Sequence, residues 1–204
     1  MSKQIKENMP KAYSTEIKHV GECALERAII QGKTSKLNGF EVEWLDIELP
    51  VNVTGKARGN CIDLIGKDSD NNYILCELKF RRRSFDNGNP EEAANQIKKY
   101  LCMVKEYYKR LHYHRQNGSL INWEAVALGK TRLVVAANSR YWNSWLGNRR
   151  KGRTYKTEGV ECYSINLDQD EFSRQKGERD KYSPYMPESG KEWELIDMNK
   201  FKHC

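Results

Sequence analysis

The strongest constraint on this chain is a pair of apolar runs, NCIDLIG at 60–66 and NNYILCELKF at 71–80, joined through the turn-rich KDSDNN. Two such runs around such a turn predict a β-hairpin. With the turn centred on Asp70, antiparallel partners have numbers that sum to 140, which sets Asp63 opposite Glu77. Directly opposed residues share a face, with Cβ atoms about 5 Å apart. The two-residue period of a strand then puts Glu77 and Lys79 on that face, while Ile74, Cys76, Leu78 and Phe80 point the other way into apolar packing. Three polar residues converge on one side of a hairpin that is otherwise built for burial.

The rest of the chain supplies elements around this hairpin. Residues Ser14 to Gln31 place Ile17, Val20, Gly21, Ala24, Leu25 and Ala28 along one helical stripe, with Ser14 as N-cap and Gly32 as stop. A strand follows between Phe40 and Val53. The clearest helix start is Asn89-Pro90-Glu91-Glu92, which combines an N-cap, a proline at the first helical position and a capping box. Its buried stripe is Ala93, Ile97, Tyr100, Leu101, Val104, Tyr108 and Leu111, with Lys98, Lys105 and Lys109 on the other side. Then TRLVVAAN reads as an interior strand, RYWNSWLGN as a short helix and ECYSINL as another strand. The expected order is αβββαβαβ, an α/β domain whose central mixed sheet is flanked by helices. The expected core covers about 14–167; residues 168–204 are more polar, with a flexible loop expected around 173–190 and KEWELIDMNKF as a final docking element.

A chain of 204 residues with 38% hydrophobic content suits one domain with one core. No apolar run reaches the roughly 18 residues of a membrane helix, and the opening MSKQIKENMPK has no signal-like stretch, so a cytoplasmic protein is expected. Its 35 Lys+Arg exceed its 28 Asp+Glu by 7, a basic balance that favours a polyanionic partner. The six cysteines form no C-x-x-C pair, and no His stands at a zinc-ligand spacing, so the thiols are read as small hydrophobes. No phosphate-binding G-x-x-x-x-G-K-[ST] loop is present, which leaves no ATP site in this chain. The run Asp68 to Asn72 lacks the glycine and glutamate of a calcium loop and reads as a turn.

Two facing carboxylates repel unless a cation lies between them. Hard oxygen ligands at that spacing suit Mg²⁺, held by one or two carboxylates and completed by phosphate and water, and a lysine one strand step away can hold the attacking water. That is a phosphodiester hydrolysis site in outline. The same D-x13-E-x-K pattern also describes an ordinary cross-strand charge pair on a solvated sheet face.

Asp63 followed by Glu77-Leu78-Lys79, with an acidic helix before and a helix bearing Gln96-Ile97-Lys98-Lys99-Tyr100 after, resembles the PD-(D/E)xK nuclease superfamily. The Q-x-x-x-Y signature is similar to that of the branch containing phage lambda exonuclease and the nuclease domains of bacterial recombination helicases. The resemblance runs over about residues 15–167, and Ile62 stands where the usual proline precedes the aspartate. It implies a restriction-endonuclease-like fold and a Mg²⁺-dependent deoxyribonuclease, with Mn²⁺ substituting. By that resemblance Asp63, Glu77 and the backbone carbonyl of Leu78 would ligate the metal, Lys79 would position the water, and Glu22 would be the acid of the first helix. Glu22 is preferred to Glu26 because it borders the apolar stripe, whereas Glu26 lies nearly opposite and reads as solvated. Gln96 and Tyr100 are i,i+4 neighbours at the edge of the buried face, within reach of the lysine or the scissile region. Arg81, Arg82 and Arg83, with Arg149, Arg150, Lys151 and Arg153, form basic runs suited to phosphates or to a solvated loop. DNA is the expected partner, and a homodimer or larger assembly stays open. Two rival readings remain: a binding module whose nuclease fold has become structural, and a nuclease acting on RNA.

Overall fold

The computed structural model describes residues 22–51, 60–81, 88–111, 121–147, 153–167, 186 and 188–198. Within them, helix α1 (Glu22–Gly32) is followed by strands β1 (Thr34–Leu37), β2 (Phe40–Pro50), β3 (Cys61–Asp68) and β4 (Tyr73–Lys79). Then come α2 (Pro90–Tyr107), a short 3-10 turn (Tyr108–Arg110), α3 (Trp123–Leu128), β5 (Arg132–Asn138), α4 (Ser139–Leu146) and β6 (Glu161–Ile165). A 3-10 turn (Glu188–Lys191) leads into β7 (Glu192–Leu195).

The expected hairpin forms with its expected register. Leu64 pairs with Cys76, Ile65 with Leu75, Gly66 with Ile74 and Lys67 with Tyr73, every pair summing to 140. The turn is organised by Asp68, whose Oδ1 accepts hydrogen bonds from the backbone N–H groups of Asp70 (3.0 Å) and Asn72 (2.9 Å). Asn71 takes the left-handed conformation that asparagine tolerates (φ 63°).

The open central sheet flanked by helices is not what forms. The strands close into a mixed barrel in the order β1 to β7. Closure comes from β7, which pairs antiparallel with β6 and parallel with β1, through Lys36 opposite Glu192 and Leu37 opposite Trp193. Asn38 N–H also donates to the Trp193 carbonyl at 3.1 Å. Four residues of β7 thus occupy both edges that an open sheet would leave unpaired. The second departure is β1, which forms a tight hairpin with β2 across Asn38-Gly39, both at positive φ (47° and 92°), with Leu37 opposite Phe40. This is the asparagine-glycine turn whose twist matches that of the strands.

The capping signature of α2 forms in full. Asn89 Oδ1 accepts from Glu92 N–H (2.9 Å), and Glu92 Oε2 accepts from Asn89 N–H (2.9 Å). Ala93, Ile97, Tyr100, Val104 and Leu111 are buried as the stripe requires. Parallel connections through α2 and α3, and then through α4, set β4, β5 and β6 side by side.

The two faces of the strands bury into two clusters. Leu75, Val135, Ala137 and Cys162 pack under α2, α3 and α4, while Ile74, Cys76, Leu78, Phe80, Val134 and Ala136 pack with α1. On the α1 side Trp44 and Trp193 stack at 5.3 Å between ring centroids, joining β2 to the closing strand. Residues Ala24 to Ile30 of α1 are covered all round, Glu26 and Arg27 included. Cys76 and Cys162 are buried and Cys61 is half-buried, as small hydrophobes would be, whereas Cys102 is exposed.

Candidate active site

The site grows from a fork in the barrel. The ladder between β3 and β4 stops at Leu64 and Cys76; beyond it β3 continues with β2, through Ile62 opposite Leu49, while β4 continues with β5, through Glu77 opposite Val135 and Lys79 opposite Ala137. Where the strands part, a carboxylate takes over from the ladder: Leu78 N–H donates to Asp63 Oδ2 at 2.7 Å. Asp63 and Glu77 are the residues next after that last pair, and they stay close enough for the Glu77 charge to act on Asp63.

Asp63, Glu77 and Lys79 therefore meet at the fork. Glu77 is 1% exposed and Lys79 8%. Lys79 Nζ donates to Glu77 Oε1 at 2.5 Å and lies 3.6 Å from Glu22 Oε1. Glu22, the first described residue of α1, also accepts from the Phe80 N–H at 3.4 Å, so the helix is tied to the end of the strand. The other Glu77 oxygen, Oε2, is enclosed and has no hydrogen-bond donor.

The electrostatics follow from crowding three acids around one ammonium. Burial, then the facing Glu77 and the nearby Glu26, push the Asp63 carboxyl well above the usual carboxylate range. Burial also raises Glu77, against the opposing pull of Lys79. For Lys79, burial works to lower the pKa, but Glu77, Glu22 and Asp63 outweigh it and hold the ammonium charged. Glu26 is pushed up to about 8, by burial first and then by Glu48 and Glu22. Glu26 is thus a buried acid behind the site and not the solvated charge that its helical position suggests. A helical stripe leaves the opposite side wet only on a half-exposed helix, and Ala24 to Ile30 of α1 have no wet side.

A cleft of about 310 Å³ opens beside these groups, lined by Glu22, Lys79, Gly88, Glu92, Ala93 and Gln96. The capping box brings the first turn of α2 to its rim. Gln96 faces the cleft and donates from Nε2 to the Tyr100 hydroxyl at 2.9 Å. Tyr100 is buried and held above its usual pKa, chiefly by burial, with Glu77 and Asp63 adding to the effect. The i,i+4 pair therefore stands against the acids.

Asp63, Glu77, Lys79, Glu22, Gln96 and Tyr100 are brought together, with Arg81 two residues past the lysine. Arg82, Arg83, Arg149, Arg150 and Lys151 lie outside the described residues. The residue that sequence reasoning missed is Asn138, fully buried at the end of β5. Its Oδ1 accepts from Arg81 N–H (3.1 Å) and Tyr141 N–H (3.3 Å), and its Nδ2 donates to the Arg81 carbonyl (3.1 Å). The available signal was an asparagine closing an apolar strand directly before a helix, where it serves as N-cap.

The donor set bears on a metal in two ways. Among the described residues no group of three or more His, Cys, Asp and Glu side chains is arranged to hold an ion. Mg²⁺, however, commonly takes only one or two protein carboxylates, and a buried carboxylate oxygen without a donor beside a second raised carboxyl suits a hard cation.

Comparison with known proteins finds no matching family model and no matching curated protein. Among solved structures the chain is similar to a repair endonuclease from Pyrococcus abyssi, at 20% identity and a TM-score of 0.31, over 61% of this chain and 38% of that one. The chain thus aligns with well under two thirds of that protein, and a likeness this loose does not define a common fold. No helix of the described residues is long and apolar enough to cross a membrane.

Proposed function

We propose that this protein is a Mg²⁺-dependent nuclease that hydrolyses phosphodiester bonds in DNA. The observation that carries the reading is the convergence at the fork of Asp63, Glu77 and Lys79, with Glu77 Oε2 enclosed and lacking a donor. Asp63, Glu77 and the Leu78 carbonyl are the groups that would hold Mg²⁺, which when bound supplies Lewis-acid stabilisation of the phosphate and a more acidic water. Lys79 has three N–H donors and spends one on Glu77. Surrounded by three acids it stays protonated, so it donates to the water or to a phosphate oxygen and is not the group that accepts a proton. Glu22 holds that ammonium from the other side and fixes the Phe80 backbone. Gln96 and Tyr100 form the wall against which the scissile region lies.

A second reading, a nucleic-acid-binding module without chemistry, is favoured by the Lys79–Glu77 ion pair, which neutralises one carboxylate with no metal at all. Incubation with supercoiled, linear and branched DNA in Mg²⁺ or Mn²⁺, with chelator as control and RNA in parallel, separates the two. Chelator-sensitive cleavage of DNA is expected. Binding without cleavage in either ion establishes the module, and cleavage confined to RNA reassigns the substrate.

A further inference from the structure

Past Lys79 the chain leaves the ladder but not the protein. One more parallel pair would set Phe80 beside Asn138, yet the Asn138 side-chain amide bonds both the N–H and the carbonyl of Arg81, at 3.1 Å each. Together with the Glu22 bond to Phe80 N–H, this pins two consecutive residues beyond the end of β4. A fully buried amide making three hydrogen bonds holds its backbone partner tightly.

The alternation of the strand continues through this pinned segment. Phe80 packs with Cys76 and Leu78 on the α1 side, which sends residue 81 toward the face carrying Glu77 and Lys79. There the guanidinium of Arg81 has an enclosed nitrogen, Nη1, without a hydrogen-bond partner. A guanidinium is a rigid fork of donors whose best partner is an oxyanion taken in bidentate fashion, and leaving one of its buried N–H groups unmet is costly. Lys79 is committed to Glu77 and Glu22, whereas Arg81 makes no ion pair with a described carboxylate.

We propose that Arg81 is a phosphate-binding residue that takes the phosphate next to the scissile one, and that Asn138 is the positioning residue that fixes its backbone. Two residues along a strand span about 6.6 Å, so Arg81 serves oxygens other than those at Lys79. The assignment rests on the nuclease reading for its substrate, but its test does not depend on cleavage.

The test uses the full chain and a fluorescent duplex DNA oligonucleotide, with anisotropy measured in chelator across a salt series. Arg81→Ala is expected to weaken binding about 10- to 100-fold and to lower the salt slope by about 0.9, the share of one phosphate. Arg81→Lys should recover the slope but only part of the affinity, because a point charge replaces the fork. Asn138→Ala, if it folds, should weaken binding with the slope unchanged, since the charge is kept and only its placement is lost. In cleavage assays Arg81→Ala should raise KM while kcat changes less than about threefold, since Arg81 does not serve the reacting phosphorus. Unchanged affinity and slope in Arg81→Ala overturn the proposal, as does an equal loss in Lys105→Ala on the far side of α2, or a native chain that binds no oligonucleotide. A native chain that binds as expected but cuts in neither ion overturns the nuclease reading and leaves Arg81 standing.

Discussion

The two ends of the β3–β4 hairpin carry the same kinds of side chain and treat them in opposite ways. At the turn, Asp68 is satisfied by the backbone of Asp70 and Asn72 and by the Asn72 amide (3.1 Å), with Arg132 at 3.9 Å. At the fork, Asp63 and Glu77 share one backbone N–H and one ammonium between them, and one oxygen goes without. Acids at the turn are fastened down by donors and stabilise the fold. Acids at the fork crowd one another, and the proposed Mg²⁺ is the group that would relieve that crowding.

The largest effect that tests this contrast is on chemistry. Lys79→Ala should reduce DNA cleavage by at least about 100-fold, while Lys109→Ala, exposed on the 3-10 turn after α2, should leave the rate within about twofold. Gel-based rates on one substrate decide it, and equal losses in both variants would erase the difference between site and surface. Because Lys79 is itself nearly buried against Glu77, its removal also lowers the Tm.

The next effect compares the two aspartates in one experiment. Asp63→Asn can still accept the Leu78 N–H and relieves repulsion from Glu77, so without metal it should stabilise the chain by about 1 kcal/mol while abolishing cleavage. Asp68→Asn replaces a charged acceptor of several donors with a neutral one and should destabilise by about 1 kcal/mol with cleavage intact. Urea titrations at neutral pH measure both, and changes of the same sign would break the comparison.

The smallest effect is on pH dependence, through Glu26. Its carboxyl ionises near 4.5 in the unfolded chain and near 8 when folded, so its contribution to stability is full below pH 4.5 and is lost as pH rises to about 8. Glu26→Gln should flatten the fall in Tm across that window and raise Tm at pH 8 by on the order of 4 °C. Parallel Tm profiles for the two chains would mean that Glu26 is solvated after all.

How much of this was legible before folding depended on how local the signal was. Register, turn and the meeting of Asp63 with Glu77 followed from numbers along one hairpin, and the α2 cap from four consecutive residues. The β1–β2 hairpin is written equally plainly in Asn38-Gly39, but its first strand is only four residues long, too short for a two-residue period to stand out. Barrel closure had no local trace: β7 shows a single buried residue, Trp193, and its partner strand lies more than 150 positions away. Glu26 and Asn138 were missed for a shared reason. Both are polar side chains buried by neighbours from distant elements, where the rule that polar means exposed no longer holds.

Closure by β7 also fixes an order of events in time. The strands that carry the fork pair with neighbours in sequence, so the hairpin and its acids can assemble while the chain is still being made. The seam cannot be sealed until Trp193 has emerged and found Leu37 and Trp44. Contacts of that separation are slow to form, and until they do the outer edge of β1 is an open template for other strands. Nascent chains would therefore carry a nearly finished fork and an unsealed side, so aggregation during synthesis should be governed by the last strand and not by the residues at the fork.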